Sequence, residues 1–279
     1  MPDWRPLVVR RKDGYPRIMG VINITPDSFF EDSRSNNISE IIKIAQSMIQ
    51  NGADWLDVGG ESTRPGAEPV EEEEEISRVV PVIRELREKF PEIGISVDTR
   101  RSKVAKLSLE EGADMINDIS ALSDENMINI IKQSDCYICL MHMKGLPENM
   151  QDNPQYDDVV AEVRSRLNEK VSLLIREGID QERIIVDPGI GFGKSLEHNL
   201  LLLKSGREII PMSNVRLMWG VSRKSMFSEL LGRIETRDRL AGTLGIAAMT
   251  KTKAVDIIRV HDVAEHADLF RAMSALEDF

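Results

Sequence analysis

The chain has little of what builds covalent cross-links, membrane anchors or broad basic surfaces. It has only two cysteines among 279 residues, too few for a disulfide framework or a cysteine-based zinc cluster. Acidic residues outnumber basic ones by 47 to 36, and the resulting net charge of −11 argues against a nucleic-acid or anionic-lipid surface. An acidic chain that binds anions must therefore use a few well-placed cations.

Hydrophobic runs long enough to span a membrane are also missing. The start, Met1-Pro-Asp-Trp-Arg, lacks the apolar segment of a signal peptide. Cys136 and Cys139 form one C-x-x-C inside a strand-like stretch, whereas a redox motif usually opens a helix. We therefore expect a cytoplasmic protein with two buried, reduced cysteines and no membrane or nucleic-acid partner.

Short apolar runs alternate with helix-like stretches along the whole chain. Eight runs begin near residues 18, 55, 94, 115, 137, 184, 216 and 257. Their nearly continuous apolar composition is typical of parallel strands buried on both faces. No low-complexity linker interrupts the alternation, and the length is slightly above that of a usual barrel domain. We predict an α/β fold, a single (β/α)₈ TIM barrel domain over residues 1–279.

A polar side chain closes each of the eight runs. In a closed barrel the strand ends converge on one mouth, so residues distant in sequence meet in one pocket. The closing residues are Asn23, Asp57 with Glu61, Asp98, Asn117, His142, Asp187, Ser222 with Lys224, and Arg259 with His261. The loops that follow four of the runs are rich in glycine, proline and turn formers, as expected of loops that carry function.

Two kinds of side chain gather among these residues. Asp98, Asn117 and Asp187 suit the edge of a buried 2-amino-pyrimidinone, because each unpaired polar group of such a ring would cost about 1–3 kcal/mol. A second, cationic set favours a phosphate, which barrels often bind near their last two strands. This set comprises Arg64, Lys224, Arg259 and His261. The two sets indicate an enzyme acting on a phosphorylated heterocycle.

Each of these residues, taken alone, has a simpler interpretation. An aspartate at a strand end is commonly a helix N-cap, and Asp187-Pro can simply end a strand. His142 and His261 can be core histidines whose hydrogen bonds are satisfied. The joint occurrence of these residues at eight strand ends favours a ligand site.

The motifs from about residue 18 to residue 263 resemble those of the dihydropteroate synthase family, in the family's order. They are Met19-Gly-Val-Ile-Asn-Ile-Thr-Pro-Asp-Ser-Phe, Asp57-Val-Gly-Gly-Glu-Ser-Thr-Arg-Pro-Gly, Ser96-Val-Asp-Thr, Ile116-Asn-Asp-Ile-Ser, Met141-His-Met, Asp187-Pro-Gly-Ile-Gly-Phe-Gly-Lys, Gly220-Val-Ser-Arg-Lys-Ser and Arg259-Val-His-Asp-Val. The resemblance implies condensation of (7,8-dihydropterin-6-yl)methyl diphosphate with 4-aminobenzoate, giving 7,8-dihydropteroate and pyrophosphate in folate biosynthesis.

The resemblance also implies a role for each matching residue. It places the pterin edge on Asp98, Asn117 and Asp187, with Lys224 on its opposite side. It assigns the diphosphate to Asn23, Arg64, Arg259 and His261, with Asn23 also contacting Mg²⁺. Asp57, Glu61 and His142 are expected to orient these groups. The aminobenzoate site would comprise Thr63, Pro65, Phe192 and Ser225, covered by Phe29. A homodimer is implied by the family alone.

The first loop departs from the family pattern. The family usually reads Asp-Ser-Phe-Ser-Asp-Gly-Gly, whereas this chain continues from Phe29 as Phe-Glu-Asp-Ser-Arg. Glu31 falls where the family carries a functional aspartate, and either Glu31 or Asp32 could replace that carboxylate. Arg34 could add a cation near the diphosphate.

Three other functions are alternatives to the synthase hypothesis. A pterin-binding methyltransferase would share the barrel and the pterin-binding residues, but it does not need the cationic set. A Schiff-base aldolase would use Lys224, its pKa depressed by neighbouring Arg223, but no further acid–base groups support it. A catalytically silent pterin-binding homologue is supported only by the altered first loop.

Overall fold

Eight parallel strands close into a barrel in which each strand pairs with its neighbour in sequence and β1 pairs with β8. The computed structural model describes residues 7–24, 34–61, 70–145, 150–151, 153–210 and 212–277, with side chains for all but 34–37. The strands are β1 (Arg17–Asn23), β2 (Trp55–Gly59), β3 (Gly94–Asp98), β4 (Met115–Asp118), β5 (Tyr137–Met141), β6 (Ile184–Asp187), β7 (Arg216–Trp219) and β8 (Ile257–Val260). The predicted (β/α)₈ barrel is confirmed.

Helices follow the strands and cover the outside of the barrel. They are α1 (Arg34–Gln50), α2 (Glu72–Lys89), α3 (Ser102–Glu110), α4 (Met127–Gln133), α5 (Val159–Arg176), α6 (Leu196–Ser205), α7 (Met226–Leu231), α8 (Leu240–Ala247) and α9 (Val263–Glu277). A 3₁₀ helix at Thr236–Arg239 precedes α8. Within the described ranges, no helix combines the length and apolar character needed to cross a membrane.

Two helix starts differ from what the sequence pattern predicts. The apolar periodicity places the start of α6 near residue 200, but the helix begins at Leu196. There the Ser195 side chain accepts the His198 backbone N–H, while the His198 ring accepts that of Ser195. The acidic run 71–75 predicts a solvated start for α2, yet Glu75 is buried and paired with Arg101. One member of this run is therefore part of the packed structure.

The inside of the barrel changes from apolar to polar along the strand direction. A separate core cluster fills its lower part with Val8, Met19, Trp55, Met115, Cys139, Ile185, Met218 and Ile257. Because side chains alternate between the two faces of a strand, residues two positions further on point the same way. On β2, β4, β6 and β8 those residues are Asp57, Asn117, Asp187 and Arg259.

Both cysteines are buried free thiols, as predicted. Cys139 belongs to the inner cluster, and burial raises the pKa of its thiol well above the ordinary value. The carboxylates of Asp187, Asp57 and Asp98 raise this pKa further, and Arg259 opposes them. The thiol is thus part of the core beneath the polar layer.

Candidate functional site

Strand register brings the predicted pterin-binding residues of β3 and β4 side by side. Asp98 is in register with Gly59 on β2 and with Asn117 on β4. Asn117 is 3% exposed and donates its Nδ2 to Asp57 Oδ2 at 3.2 Å. Its amide oxygen therefore remains the end of the side chain that can accept a ligand N–H.

Arg259 lies against two carboxylates of this layer. Its Nε is 2.5 Å from Asp57 Oδ2, and its Nη2 is 2.6 Å from Asp98 Oδ2. Burial alone would lower the pKa of Arg259, but the two carboxylates outweigh it and hold the pKa above its ordinary value. The sequence predicts Arg259 at the diphosphate, whereas the structure places its guanidinium between Asp57 and Asp98.

Burial and charge oppose each other at Asp98. Burial raises the pKa of its carboxyl to about 7, and the nearby carboxylates of Asp57 and Glu75 add to that effect. Arg259 acts in the other direction because it stabilises the carboxylate, and Lys224 does so less strongly. Asp98 is thus a group whose charge responds to what binds beside it.

Asp187 faces the same space from β6. It is 4% exposed, and its Oδ1 accepts the backbone N–H of Gly189 at 2.7 Å. Burial raises the pKa of Asp187, whereas Lys224 and Arg259 favour its charged form. One carboxylate oxygen therefore fixes the loop after β6, and the other is left for a ligand.

Lys224 reaches the layer from the loop after β7. Its Nζ lies 4.0 Å from the centre of the Phe192 ring, a cation–π contact. Burial lowers the pKa of Lys224 to about 8, with Asp187 opposing the shift and Arg259 adding to it. Arg223 has no part in this shift, because its guanidinium is paired with Asp262. The sequence-based suggestion that Arg223 depresses the pKa of Lys224 is therefore wrong.

The loops after β7 and β8 are joined by hydrogen bonds at the mouth. Ser222 Oγ accepts the backbone N–H of His261 at 3.1 Å and lies 3.0 Å from His261 Nδ1. Arg223 adopts a left-handed φ of 57° and pairs with Asp262 across the same gap. The sequence-based prediction did not include the Arg223–Asp262 pair, although both residues lie inside its motifs.

Other predicted residues are distributed around the rim. Asn23 ends β1 with an exposed side chain, and Ser225 is exposed just before α7. Phe192 is 8% exposed beneath Lys224. Phe29, Glu31, Thr63, Arg64 and Pro65 lie outside the described residues, so their predicted roles stay predictions.

Glu61, expected to orient others, contacts two arginines that follow β3. Arg100 Nε and Arg101 Nη2 lie 3.2 and 3.4 Å from its carboxylate. Glu61 also accepts the backbone N–H of Val70 at 3.1 Å. Glu61 and Val70 are the described residues on either side of residues 62–69. The Glu61 carboxylate therefore joins Val70 to the two arginines that follow β3.

Lys194 is a buried cation that the sequence-based prediction left without a role. Its Nζ lies 3.1 Å from His142 Nδ1 and donates to the backbone carbonyl of Phe192 at 2.9 Å. Burial lowers the pKa of Lys194 to about 7 and that of His142 to about 3. The pair links the end of β5 to the loop after β6. The motif that ends in Lys194 was recognised from the sequence, but no pattern showed that the lysine side chain turns inward.

The described ranges contain no group of three or more His, Cys, Asp or Glu side chains that could hold a metal ion. What the mouth offers is a row of buried hydrogen-bond acceptors on β2, β3, β4 and β6, with cations on the last two strands and their loops. This arrangement can bind a ligand that is a hydrogen-bond donor on one side and an anion on the other.

Comparison with known proteins gives a consistent result. The model of the pterin binding enzyme family matches residues 19–261. Dihydropteroate synthase from Escherichia coli (strain K12) is 42% identical over 261 residues, covering 94% of this chain and 92% of that protein. The crystal structure of Yersinia pestis dihydropteroate synthase with a sulfonamide drug complex aligns with a TM-score of 0.88 at 37% identity, covering 98% of this chain and 99% of that one. Xanthomonas albilineans dihydropteroate synthase with 4-aminobenzoic acid aligns with a TM-score of 0.86 at 37% identity, covering 95% of this chain and 94% of that one.

Proposed function

Because the chain belongs to the pterin-binding enzymes, and among them to the dihydropteroate synthases, we propose that the polar layer of its barrel holds the two halves of one substrate. The chain is a transferase that joins (7,8-dihydropterin-6-yl)methyl diphosphate to 4-aminobenzoate and releases pyrophosphate. The observation that carries the proposed assignment is the meeting of Asp98, Asn117 and Asp187 with Lys224 and Arg259 in one layer.

The pterin half fits the acceptors of β3, β4 and β6. The 2-amino-pyrimidinone edge presents several N–H donors, and the Asp98 and Asp187 carboxylates accept them while Asn117 can both accept and donate. Lys224 approaches from the loop after β7 and donates to the ring acceptors. Since all these groups are at least half-buried, leaving any of them unpaired costs about 1–3 kcal/mol, which makes the recognition selective.

The diphosphate half lies toward β8 and β1. Arg259 lies on β8, and His261 directly follows the last residue of that strand. Arg64 is expected to complete this set from outside the described residues. The cations stabilise the negative charge that develops on pyrophosphate as it leaves.

Mg²⁺ fits this rim as an ion shared with the substrate. Asn23 offers an exposed amide oxygen at the end of β1, a hard ligand of the kind Mg²⁺ accepts. Such an ion is commonly held by one or two protein oxygens together with substrate phosphates, which agrees with the lack of a three-residue acidic cluster in the described part of the chain. When bound, it would neutralise phosphate charge.

The reaction is a substitution at the CH₂ group beside the pterin ring. The electron-rich dihydropterin stabilises the cation left when the C–O bond to the diphosphate breaks, so we assign a dissociative path. The aniline nitrogen of 4-aminobenzoate is a weak nucleophile, and its placement matters more than a general base. Phe192 and Ser225 support an aminobenzoate site next to Lys224, with Thr63, Pro65 and Phe29 completing it.

The decisive experiment measures pyrophosphate release with and without 4-aminobenzoate and Mg²⁺. We expect release to depend on both. Absence of aminobenzoate-dependent release, in a folded protein that still binds a pterin, would identify the chain as a silent pterin-binding homologue. Formation of 7,8-dihydropteroate is checked in the same reactions.

Pterin affinity should fall as the pH drops through about 7. Burial raises the pKa of Asp98 to about 7, and only the carboxylate form accepts both ring donors. The free energy of unfolding of the empty protein should instead rise as the pH falls. Because the folded pKa exceeds the ordinary value of 3.8, the folded state takes up the proton first, and Asp98 adds stability as the pH falls from about 7 toward 4.

Calorimetric titration of 6-hydroxymethylpterin across this pH range tests the prediction. In Asp98→Asn the pH dependence of binding should disappear, because the amide does not titrate. An unchanged pH profile in that variant would assign the dependence to another group.

The first loop is expected to act through Glu31 or Asp32. Replacing both, as Glu31→Gln with Asp32→Asn, should reduce turnover by about 10-fold or more if one of them does the work of the family's carboxylate. Each single variant shows which residue carries the role. Turnover equal to wild type in the double variant would contradict the assignment.

We also propose a cytoplasmic homodimer formed through α7 and α8. Leu230, Leu231, Ile234 and Met249 are 41%, 47%, 79% and 47% exposed, respectively, and Leu231 lies against α8 at Gly242. Exposed apolar side chains on or next to α7 and α8 favour this face as an interaction surface. Ile234→Glu should convert the dimer to a monomer in sedimentation analysis. Leu276→Glu is the matched control, since Leu276 is also 79% exposed but lies near the end of α9. Equal behaviour of the two variants would count against this face.

A further inference from the structure

Lys194 lies near the end of the loop after β6, and its side chain turns back into the protein. It is only 2% exposed, although lysines are rarely buried unless they are paired. Three acceptors surround its Nζ: His142 Nδ1 at 3.1 Å, the His142 carbonyl at 3.2 Å and the Phe192 carbonyl at 2.9 Å. An ammonium has three N–H donors, so each of them has a partner here. The proposed reaction gives this lysine no chemical step.

The contact between Lys194 and Phe192 does not depend on the charge of the lysine. Burial and the Lys194 ammonium lower the pKa of His142 to about 3, so the ring is neutral and its Nδ1 can accept a hydrogen bond. A neutral Lys194 amine still has two N–H donors for the two carbonyls, and the other tautomer of His142 can donate to it. Lys194 therefore joins the loop after β6 to the end of β5 in either protonation state.

The loop that Lys194 holds also supports Lys224. The Lys224 ammonium lies 4.0 Å from the centre of the Phe192 ring. An added Cβ at Gly191 would lie 3.2 Å from Lys224 Cδ, so the stem of Lys224 packs against the same loop. Because Lys194 binds the Phe192 backbone directly, Phe192 is the first residue to move when that contact is lost.

The pterin-binding carboxylate of this loop has anchors of its own. Asp187 Oδ1 accepts the Gly189 N–H at 2.7 Å, and the Asp187 carbonyl accepts the His142 N–H at 3.0 Å. The other acceptors assigned to the pterin edge belong to β3 and β4. The hydrogen bond from Lys194 to the Phe192 carbonyl can therefore be removed while these acceptors keep their places.

We propose that Lys194 is a positioning residue for the aminobenzoate half of the reaction, because it fixes the Phe192 backbone and so keeps the ring in the wall of the aminobenzoate site beneath Lys224. This role rests on the proposed function. The aniline nitrogen of 4-aminobenzoate depends on placement more than on a general base, so the wall that places the ring of this substrate must itself be fixed.

Steady-state kinetics of Lys194→Met at neutral pH test this role. Methionine fills a similar volume without N–H donors, so the contact with the Phe192 carbonyl is lost. We expect the KM for 4-aminobenzoate to rise about 10-fold, the size of effect that follows when the hydrogen bond fixing a binding group is lost. The KM for the pterin diphosphate should change by less than about 3-fold, whereas a loss of folded enzyme alone would lower kcat and leave both KM values unchanged.

A double-mutant cycle with Phe192→Leu shows whether Lys194 acts through Phe192. Phe192→Leu alone should also raise the KM for 4-aminobenzoate. In that background Lys194→Met should change this KM by less than about 3-fold, because the ring that the lysine positions is gone. Lys194→Gln keeps N–H donors on a shorter side chain and should show a smaller increase than Lys194→Met. It takes the place of the methionine variant in the cycle if thermal unfolding shows that Lys194→Met does not fold.

Lys106→Met is the matched control, since the Lys106 side chain is 58% exposed on α3. It should keep both wild-type KM values. An unchanged KM for 4-aminobenzoate in the Lys194 variants, an equal rise of both KM values, or full additivity with Phe192→Leu would overturn the proposal.

Turnover of the wild-type enzyme separates this proposal from the proposed function. If wild type produces 7,8-dihydropteroate and the Lys194 variants keep the wild-type ratio of the two KM values, the role of Lys194 is wrong and the enzymatic assignment stands. If wild type produces none, the enzymatic assignment fails, and the role of Lys194 that rests on it fails as well.

Discussion

Asp98→Asn lowers the affinity for 6-hydroxymethylpterin by roughly 10- to 150-fold, the loss expected when a hydrogen bond to a charged group worth about 1.5–3 kcal/mol is removed. The amide has the same shape as the carboxylate but offers one acceptor oxygen and adds a donor that faces the pterin's own N–H groups. Arg259 keeps its contact with Asp57, so the layer does not lose its internal ion pair. We expect the fold to survive, since the substitution also removes a carboxylate that burial disfavours.

Calorimetric binding and thermal unfolding, measured on the same preparation, check this result. Asp268→Asn serves as the matched control, because Asp268 is 76% exposed on α9 and should leave both quantities unchanged. A folded Asp98→Asn protein that binds the pterin as tightly as wild type would remove Asp98 from the pterin site.

Gly189→Ala lowers the free energy of unfolding by about 2–5 kcal/mol, combining left-handed backbone strain with overpacking. Gly189 has φ 69°, and a Cβ at this position would lie 1.8 Å from the backbone oxygen of His142. That backbone has little room to yield, because the His142 N–H donates to the Asp187 carbonyl at 3.0 Å. The Gly189 N–H also holds Asp187, so pterin binding should weaken along with stability.

Urea unfolding separates the steric clash from the backbone strain. Gly178 has φ 90° with nothing within 4 Å of an added Cβ, so Gly178→Ala should show only the left-handed strain, about 1–2 kcal/mol. Equal losses in the two variants would mean that the loop after β6 adapts, and the proposed rigidity of the Asp187 position would be wrong.

The barrel fold and the residues at its mouth could be predicted, because both depend on local sequence pattern. Apolar runs of strand length mark β1 to β8, and parallel closure then brings their ends together whatever lies between them. Asp57, Asn117 and Asp187 follow from the same rule, since each stands at a fixed distance along its strand from an inward-facing core residue.

Partner choice inside the mouth could not be predicted in this way. Whether Arg259 meets a phosphate or Asp98 depends on distances between three strands, and no sequence spacing encodes them. The inward turn of Lys194 onto His142 and the burial of Glu75 within an acidic run have the same origin. In each case the side chain contacts a residue that is distant in sequence. Composition alone would place such a charged side chain in solvent.

The two-residue step from Trp55 to Asp57, and from Met115 to Asn117, limits how this enzyme can change over evolutionary time. The same column of alternating side chains forms the packed core below and the binding surface above, so the pocket cannot deepen without emptying the barrel. New substrates must therefore be accommodated sideways, through the connecting loops. The segment after β1, which carries Glu31, is one place where the architecture permits such change.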